Sequence, residues 1–320
     1  MARIVRPRNH GGPDMLTVVD VEVPTPRAGE VVVEVRAAGV NPVDWKLYSG
    51  AFHAVDDEHQ DVAGVAESMP DLGMECAGVV TAVGDDVDGM QVGDEVIVYP
   101  VTAAYADHVT VPASSLIPKP ERLSWEQAGG LMLAGLTAAH ALHAADVRAG
   151  ETVLIHGGAG GVGLMAVQLA VQLGATVVAT AGERNHELLR GFGAIPVTYG
   201  AGLAGRVEAA APQGIDAAID TVGTDEALDV SLQFAPDPAR VASIAGSDRR
   251  FGTGIKLLGY GPGQDAGTEY RASVRQHLAD LAGAGDIRVI VAAALPLAGA
   301  ARAHAFGQAG GFTGKIVLLP

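Results

Sequence analysis

Near the middle of the chain, Gly158-Ala159-Gly160-Gly161-Val162-Gly163 has the spacing G-x-G-x-x-G. Glycines so placed suit one kind of chemistry. The first permits a tight turn, the second lets a pyrophosphate approach the backbone, and the third lets a helix pack closely on a strand. A helix starting there adds free N–H groups and a positive dipole end, both favourable to phosphate oxygens. In a chain with 43 glycines the spacing also fits a glycine-rich structural turn. Context favours the first reading. Thr152–His156 before it is an apolar run of strand type, Leu164–Leu173 after it has helical spacing, and Thr176–Thr180 follows at βαβ distance. The chain is therefore expected to bind a dinucleotide.

The elements around this loop fall into two groups. Residues 1–123 are rich in short strands, with Leu16–Val23, Glu30–Ala37, Ala77–Val83, Glu95–Tyr99 and His108–Val111 bounded by glycine, proline or aspartate. That spacing predicts a twisted, barrel-like β domain. Pro42–Gly50 reads as a short helix or turn, and 51–70 as a long acidic loop. Ser124-x-x-Gln127 resembles a capping box opening a helix over Gln127–Ala145. Strands at Val153–Ile155, Thr176–Thr180, Ala217–Ile219 and Arg240–Ile244 then alternate with helices at Glu183–Gly191 and Asp225–Phe234. Such alternation predicts a parallel sheet covered on both faces, an α/β fold. A helix at Glu269–Ala282 and a strand at Arg288–Ala292 are expected to complete it. A further helix, Ala298–Gln308, and the apolar strand of Gly314–Leu319 are expected to return to the first domain.

Composition narrows the function classes. The chain has 320 residues, 48% of them hydrophobic, with a mean hydropathy of +0.26. Uninterrupted apolar stretches stay below the roughly 18 residues that a membrane span needs. The N-terminal Met1–Arg6 lacks the pattern of a signal peptide, so a cytoplasmic location is expected. One cysteine, Cys76, rules out an intrachain disulfide and a multi-thiolate zinc site. A formal net charge of −16 argues against nucleic-acid binding, which depends on cations neutralising phosphates.

Several stretches together resemble the medium-chain dehydrogenase/reductase superfamily, specifically its zinc-independent quinone oxidoreductase branch. They are Ala38–Asp44 (AGVNPVD), Gly73–Gly78 (GMECAG), Gly93–Val96, Leu133–Ala138, the glycine loop, and Gly314–Leu318. The resemblance implies a GroES-like catalytic domain (1–123, completed by 296–320) around a Rossmann domain (124–295), and a homodimer formed by sheet extension. It implies that Thr137 and the backbone at Val222-Gly223 and Ile244-Ala245 position a nicotinamide, with Lys315 also among the cofactor-binding residues. Zinc-dependent relatives carry cysteine and histidine where this chain has Asn41 and Met74, and an amide with a thioether does not make a catalytic zinc site. No metal is expected. Ten histidines remain, none in H-x-x-x-H spacing.

The second strand ends in Ala181-Gly182 without the carboxylate that would hold a ribose diol. Gly182, Arg184 and Asn185 are therefore assigned to a 2′-phosphate, with NADPH as the cofactor; Arg184 could equally decorate the first turn of a helix. Asn41 is placed near the reacting group, an ordinary turn asparagine being the rival reading. Lys46, Tyr48 and His53, or bulk water, are the candidate proton donors. Asp44 reads as an N-cap, Glu75 as a buried structural carboxylate, and Asp220 as a turn former. The expected activity is hydride transfer to a small-molecule quinone or α,β-unsaturated carbonyl. A tailoring reductase of a bulky polyketide-type intermediate and a dinucleotide-binding module without turnover are the alternatives.

Overall fold

The computed structural model describes residues 1–50, 69, 71–246 and 248–320. His53 and nearly all of the expected 51–70 loop lie outside the described residues. The chain divides into two compact units, Met1–Leu133 with Val289–Pro320, and Ala134–Arg288.

The first unit begins with β1 (Ala2–Pro7) and β2 (Leu16–Val21), an antiparallel pair. Then come β3 (Glu30–Val40), α1 (Pro42–Tyr48), β4 (Cys76–Val83), β5 (Glu95–Val98), β6 (His108–Pro112), β7 (Leu116–Pro118) and α2 (Trp125–Gly129). The α3 helix (Met132–Ala144) follows at the division between the units. The second unit carries β8 (Thr152–His156), α4 (Gly161–Gln172), β9 (Thr176–Thr180), α5 (His186–Gly191), β10 (Ile195–Val197), α6 (Leu203–Ala210) and β11 (Ala217–Asp220). It continues with α7 (Asp225–Phe234), β12 (Val241–Ser243), β13 (Lys256–Leu257) and α8 (Thr268–Ala284). The chain then returns to the first unit as β14 (Val291–Pro296), α9 (Ala300–Ala309) and β15 (Lys315–Leu319).

Among the described residues the first unit's sheet has the order β14-β15-β3-β4-β5-β7, with β6 also paired to β3. β3 is its spine: Val31, Val33 and Val35, alternate positions that share one face of a strand, enter the core with Val80, Val96, Val98 and Val109. The second unit's sheet, β10-β9-β8-β11-β12-β13, is parallel throughout. Its central strands β8, β9 and β11 are buried on both faces almost throughout, as their continuous apolar runs require.

Two expectations on elements change. The helix expected over Gln127–Ala145 is two helices, because the poor helix formers Gly129 and Gly130 sit at the break. Gly129 also packs so closely on Ala37 that a Cβ there would lie 2.5 Å from its carbonyl oxygen. The strand expected to close the nucleotide-binding sheet is instead β14, paired in parallel with β15 in the first unit.

The glycine loop is resolved atom by atom. The residue with left-handed backbone is Gly157, at φ +77°, so the turn falls there and not on Gly158. Gly158 is constrained by packing, since a Cβ would lie 2.9 Å from the Ala179 methyl on β9. On Gly163 a Cβ would lie 2.1 Å from the Gly157 carbonyl oxygen, inside backbone that cannot swing away. On Gly160 it would meet only that oxygen at 3.5 Å, an ordinary contact. Gly163→Ala should therefore destabilise the protein by about 3 kcal/mol in urea melts, the upper range of an overpacked interior. Gly160→Ala, at φ −76°, should be near neutral. Equal losses for the two would refute this division of roles.

Candidate functional site

In the second unit the glycine loop joins the carboxyl end of β8 to α4, which begins at Gly161 with Gly160 as its N-cap. No side chain caps this end, so the first amides of the helix face the space that Gly160 leaves open. Gly158, Ala159 and Gly163 are buried, Gly161 and Val162 half-buried, and Gly160 is exposed. At the neighbouring strand end, Gly182 starts a single 3-10 turn over Glu183–Asn185. Arg184 is exposed and Asn185 buried. A Cβ on Gly182 would find only the Tyr199 hydroxyl, at 3.8 Å. Tyr199 stands two residues beyond β10, and its exposed ring borders this turn. Sequence reading missed it, because only the β9–β10 pairing brings it there.

The same edge of the sheet carries the loops after β11 and β12. Val222 is exposed; Gly223, Ile244 and Ala245 are half-buried. Asp220 closes β11 and forms the expected turn, its Oδ1 accepting from the N–H groups of Val222 (3.0 Å) and Gly223 (2.9 Å). Its Oδ2 receives Arg250, a residue that sequence reading missed because it lies thirty positions on. Thr137 lies buried on α3 in this unit. Uncapped amides at the start of α4, an open glycine and an uncrowded Gly182 after β9 fit a dinucleotide.

In the first unit, Asn41, Glu75 and Lys315 form one buried cluster. The Lys315 ammonium donates to Glu75 Oε1 (2.9 Å), to Asn41 Oδ1 and to the Val40 carbonyl (3.4 Å). Glu75 also accepts from Asn41 Nδ2 (3.0 Å) and from the Leu133 N–H (2.8 Å) in the first turn of α3. The three hydrogens of Lys315 thus have protein acceptors, and its place is this interior ionic network. Asn41 is the N-cap residue of α1, and Asp44 stands three residues on, not at the cap as expected. Asp44 reaches back to the Asn41 N–H (2.8 Å).

From Asp44 a second buried line runs outward. Tyr105 Oη donates to Asp44 Oδ2 (2.8 Å), His304 Nε2 stands 3.2 Å from Tyr105 Oη, and Tyr48 Oη stands 2.8 Å from His304 Nδ1. An ionised Asp44 orders the protons along it. Tyr105 donates to Asp44 and accepts from His304 Nε2–H, leaving Nδ1 to accept from Tyr48. His304 is neutral in this arrangement, enclosed by the rings of Trp45, Tyr48 and Tyr105. Burial pushes its pKa down to about 4 and that of Asp44 up to about 6, against the hydrogen bonds from Tyr105 and Asn41 and the nearby Lys315 charge. Burial likewise raises the Tyr48 and Tyr105 hydroxyls. Tyr48 is fully buried and Lys46 exposed, so these two candidate proton donors are not brought together.

Zinc does not fit the residues described at these positions. The Asn41 oxygen faces the Lys315 ammonium, Glu75 is already paired with that cation, and Met74 offers a thioether. Among the described residues no three His, Cys, Asp or Glu side chains come together as metal ligands would. No helix among them is long and apolar enough to cross a membrane.

Comparison with known proteins agrees with the two-part fold. Residues 27–121 match the alcohol dehydrogenase GroES-like domain, and residues 177–318 match a family described as zinc-binding dehydrogenase. The chain is 36% identical over 193 residues to quinone oxidoreductase of Mus musculus, covering 59% of this chain and 55% of that protein. The chain thus aligns with about half the length of that curated relative. A mycobacterial protein solved in complex with NADPH is 30% identical, with full coverage of both chains and a TM-score of 0.81. The CurK enoyl reductase is 27% identical, with 99% coverage of both chains and a TM-score of 0.84.

The buried titratable groups set a pH dependence. His304 and His156 both titrate near 4 when folded, against 6.5 in the open chain, chiefly because burial disfavours their charge. As pH falls from 6.5 toward 4 the unfolded chain takes protons that the folded chain refuses, so stability falls. Asp44 has the opposite sign over about the same window, because its folded carboxyl gains its proton near 6. It offsets roughly one of the two histidines. Wild type should therefore lose stability between pH 7 and 5, and His304→Gln should remove about 2 kcal/mol of that change. Urea melts at the two pH values measure it, and an unaltered slope in the variant would contradict the burial of a neutral His304.

Proposed function

We infer that this chain, which belongs to the medium-chain dehydrogenase/reductase superfamily in its quinone oxidoreductase branch, is an NADPH-dependent reductase. Its acceptor in this reading is a quinone or an α,β-unsaturated carbonyl compound. The observation that carries the inference is the glycine loop, crowded at Gly163 where helix meets strand and open at Gly160 where a pyrophosphate would lie. The likeness to a mycobacterial protein solved with NADPH and to an enoyl reductase supports the choice of cofactor and acceptor.

In this reading the amides at the start of α4 hold the pyrophosphate, and Gly182, Arg184 and Asn185 hold the 2′-phosphate beside Tyr199. Thr137 and the backbone of Val222-Gly223 and Ile244-Ala245 orient the nicotinamide half. A bound nicotinamide cofactor supplies the hydride. Without a Lewis acid to activate an alcohol, an acceptor that is already electrophilic fits best. The protein's contribution is then to orient its reactants and exclude competing ones. Asn41 and Lys315 brace the first unit from inside. The Tyr48 hydroxyl is committed to His304, so in this reading the proton that completes the product comes from solvent, from the exposed Lys46 or from His53. A second copy paired along the β13 edge belongs to the same reading.

Two measurements test it. Purified protein should oxidise NADPH with at least one member of a panel of quinones and enones, at a rate that a zinc chelator leaves unchanged. Nucleotide binding without turnover on any acceptor would favour a non-catalytic module instead. Arg184→Ala should weaken NADPH binding by about tenfold, the lower end expected of an exposed charge-assisted contact. NADH binding should change little. Equal losses for both nucleotides, or a wild type that prefers NADH, would remove Arg184 from the phosphate site.

A further inference from the structure

At the carboxyl ends of β11 and β12, two loops are locked together by one buried ion pair. Asp220 and Arg250 are each 2% exposed at the side chain and meet at 2.8 Å. Asp220 spends its two oxygens on different jobs. Oδ1 holds the Val222 and Gly223 amides of the first loop. Oδ2 takes Arg250 Nη2 (2.8 Å) and Nε (3.3 Å), with the Ser243 hydroxyl from the end of β12 at 2.9 Å. Arg250 Nη2 also donates to the Thr224 carbonyl (2.9 Å), at the N-cap of α7. The guanidinium packs against Gly246, where a Cβ would sit 2.4 Å from Cζ. Gly223 presses on the same residue, a Cβ there falling 2.6 Å from the Gly246 nitrogen. Residues 221–224, 243–246 and 250 therefore interlock around one carboxylate, while Val222 at the tip is 47% exposed.

Stability is a poor explanation for this arrangement. A buried ion pair repays its desolvation only when every polar atom is satisfied, and Arg250 Nη1 is buried with no acceptor among the described residues. Such an orphan donor in a native interior calls for a reason. The place supplies one, because ligands of parallel α/β sheets bind outside the carboxyl ends of the strands. We propose that Arg250 is a positioning residue: through Asp220 it sets the shape in which the loops after β11 and β12 receive the nicotinamide half of the cofactor. This rests on the dinucleotide reading above. The Asp220 carboxylate orients the Val222 and Gly223 amides directly; Arg250 fixes the carboxylate and ties it to the second loop.

The test separates the two ends of the cofactor. Dissociation constants would be measured by fluorescence for NADPH and for 2′,5′-ADP, which carries only the adenosine end, alongside melting temperatures. Arg250→Met should weaken NADPH by about tenfold or more, the scale of a misplaced binding surface, and leave 2′,5′-ADP unchanged. Arg250→Lys should recover part of the loss. Because Arg250→Met strands a buried carboxylate, the double variant Asp220→Asn, Arg250→Met is the control. It should regain melting temperature without regaining NADPH affinity. Equal weakening of both ligands in Arg250→Met, or NADPH affinity that returns with melting temperature in the double variant, would make Arg250 merely structural and overturn the proposal. Wild type that binds neither ligand would overturn the dinucleotide reading and this inference together. Wild type that binds both, with NADPH affinity unmoved in every variant, would overturn this inference alone.

Discussion

The first unit depends on one buried ion pair. Lys315 and Glu75 lie 240 residues apart in sequence and 2.9 Å apart in space. Glu75 stands just before β4, Lys315 opens β15, Asn41 links β3 to α1, and the Leu133 amide belongs to the first turn of α3. One carboxylate thus ties a strand start, a strand end and a helix N-terminus, and the ammonium neutralises it. Gly39 makes room for it, since any Cβ there would fall 2.3 Å from Glu75 Oε1. Removing either charge alone would leave the other buried, a loss of about 3–5 kcal/mol.

The second unit solves a related problem at the ends of its strands. Asp220 gathers loop amides as Glu75 gathers a helix amide, and Arg250 stands to it as Lys315 stands to Glu75. The choice of cation differs with the task. A compact ammonium reaches three acceptors at one point, whereas the planar fork of arginine spreads over a carboxylate, a carbonyl and a glycine face. Both pairs sit beside glycines, because a charged group can approach backbone this closely only where no Cβ intervenes.

Local pattern made much of this legible. The strand and helix around the glycine loop, β9 and α7 follow from their apolar periods and boundary residues, and the Ser124 cap from its Gln127 partner. β1 escaped because arginines interrupt its run, and β7 because it is only Leu116-Ile117-Pro118. What no period reveals is a partner. β14 reads as a strand from its residues, yet nothing local says that it joins β15. The same holds for the polar clusters. Asn41, Asp44 and Glu75 were visible as motif residues, but His304, Tyr105 and Arg250 acquire meaning only once topology brings them to those carboxylates. The Gly157 turn was displaced by one residue for a simpler reason: consecutive glycines do not show which of them takes the left-handed backbone.

The position of β15 bears on the order in which the molecule is made. Ala134–Arg288 is continuous and can collapse as soon as it leaves the ribosome. The first unit cannot finish then, because β15, which lies between β3 and β14, is synthesised only after the whole second unit. During that interval the Ala38–Val40 end of β3 lacks its strand and Glu75 lacks its cation. An open strand edge is a template for other chains, so until Val289–Pro320 has been made the nascent protein is exposed to wrong pairing, a hazard that dilution and chaperone cover reduce and the stability of the finished fold does not.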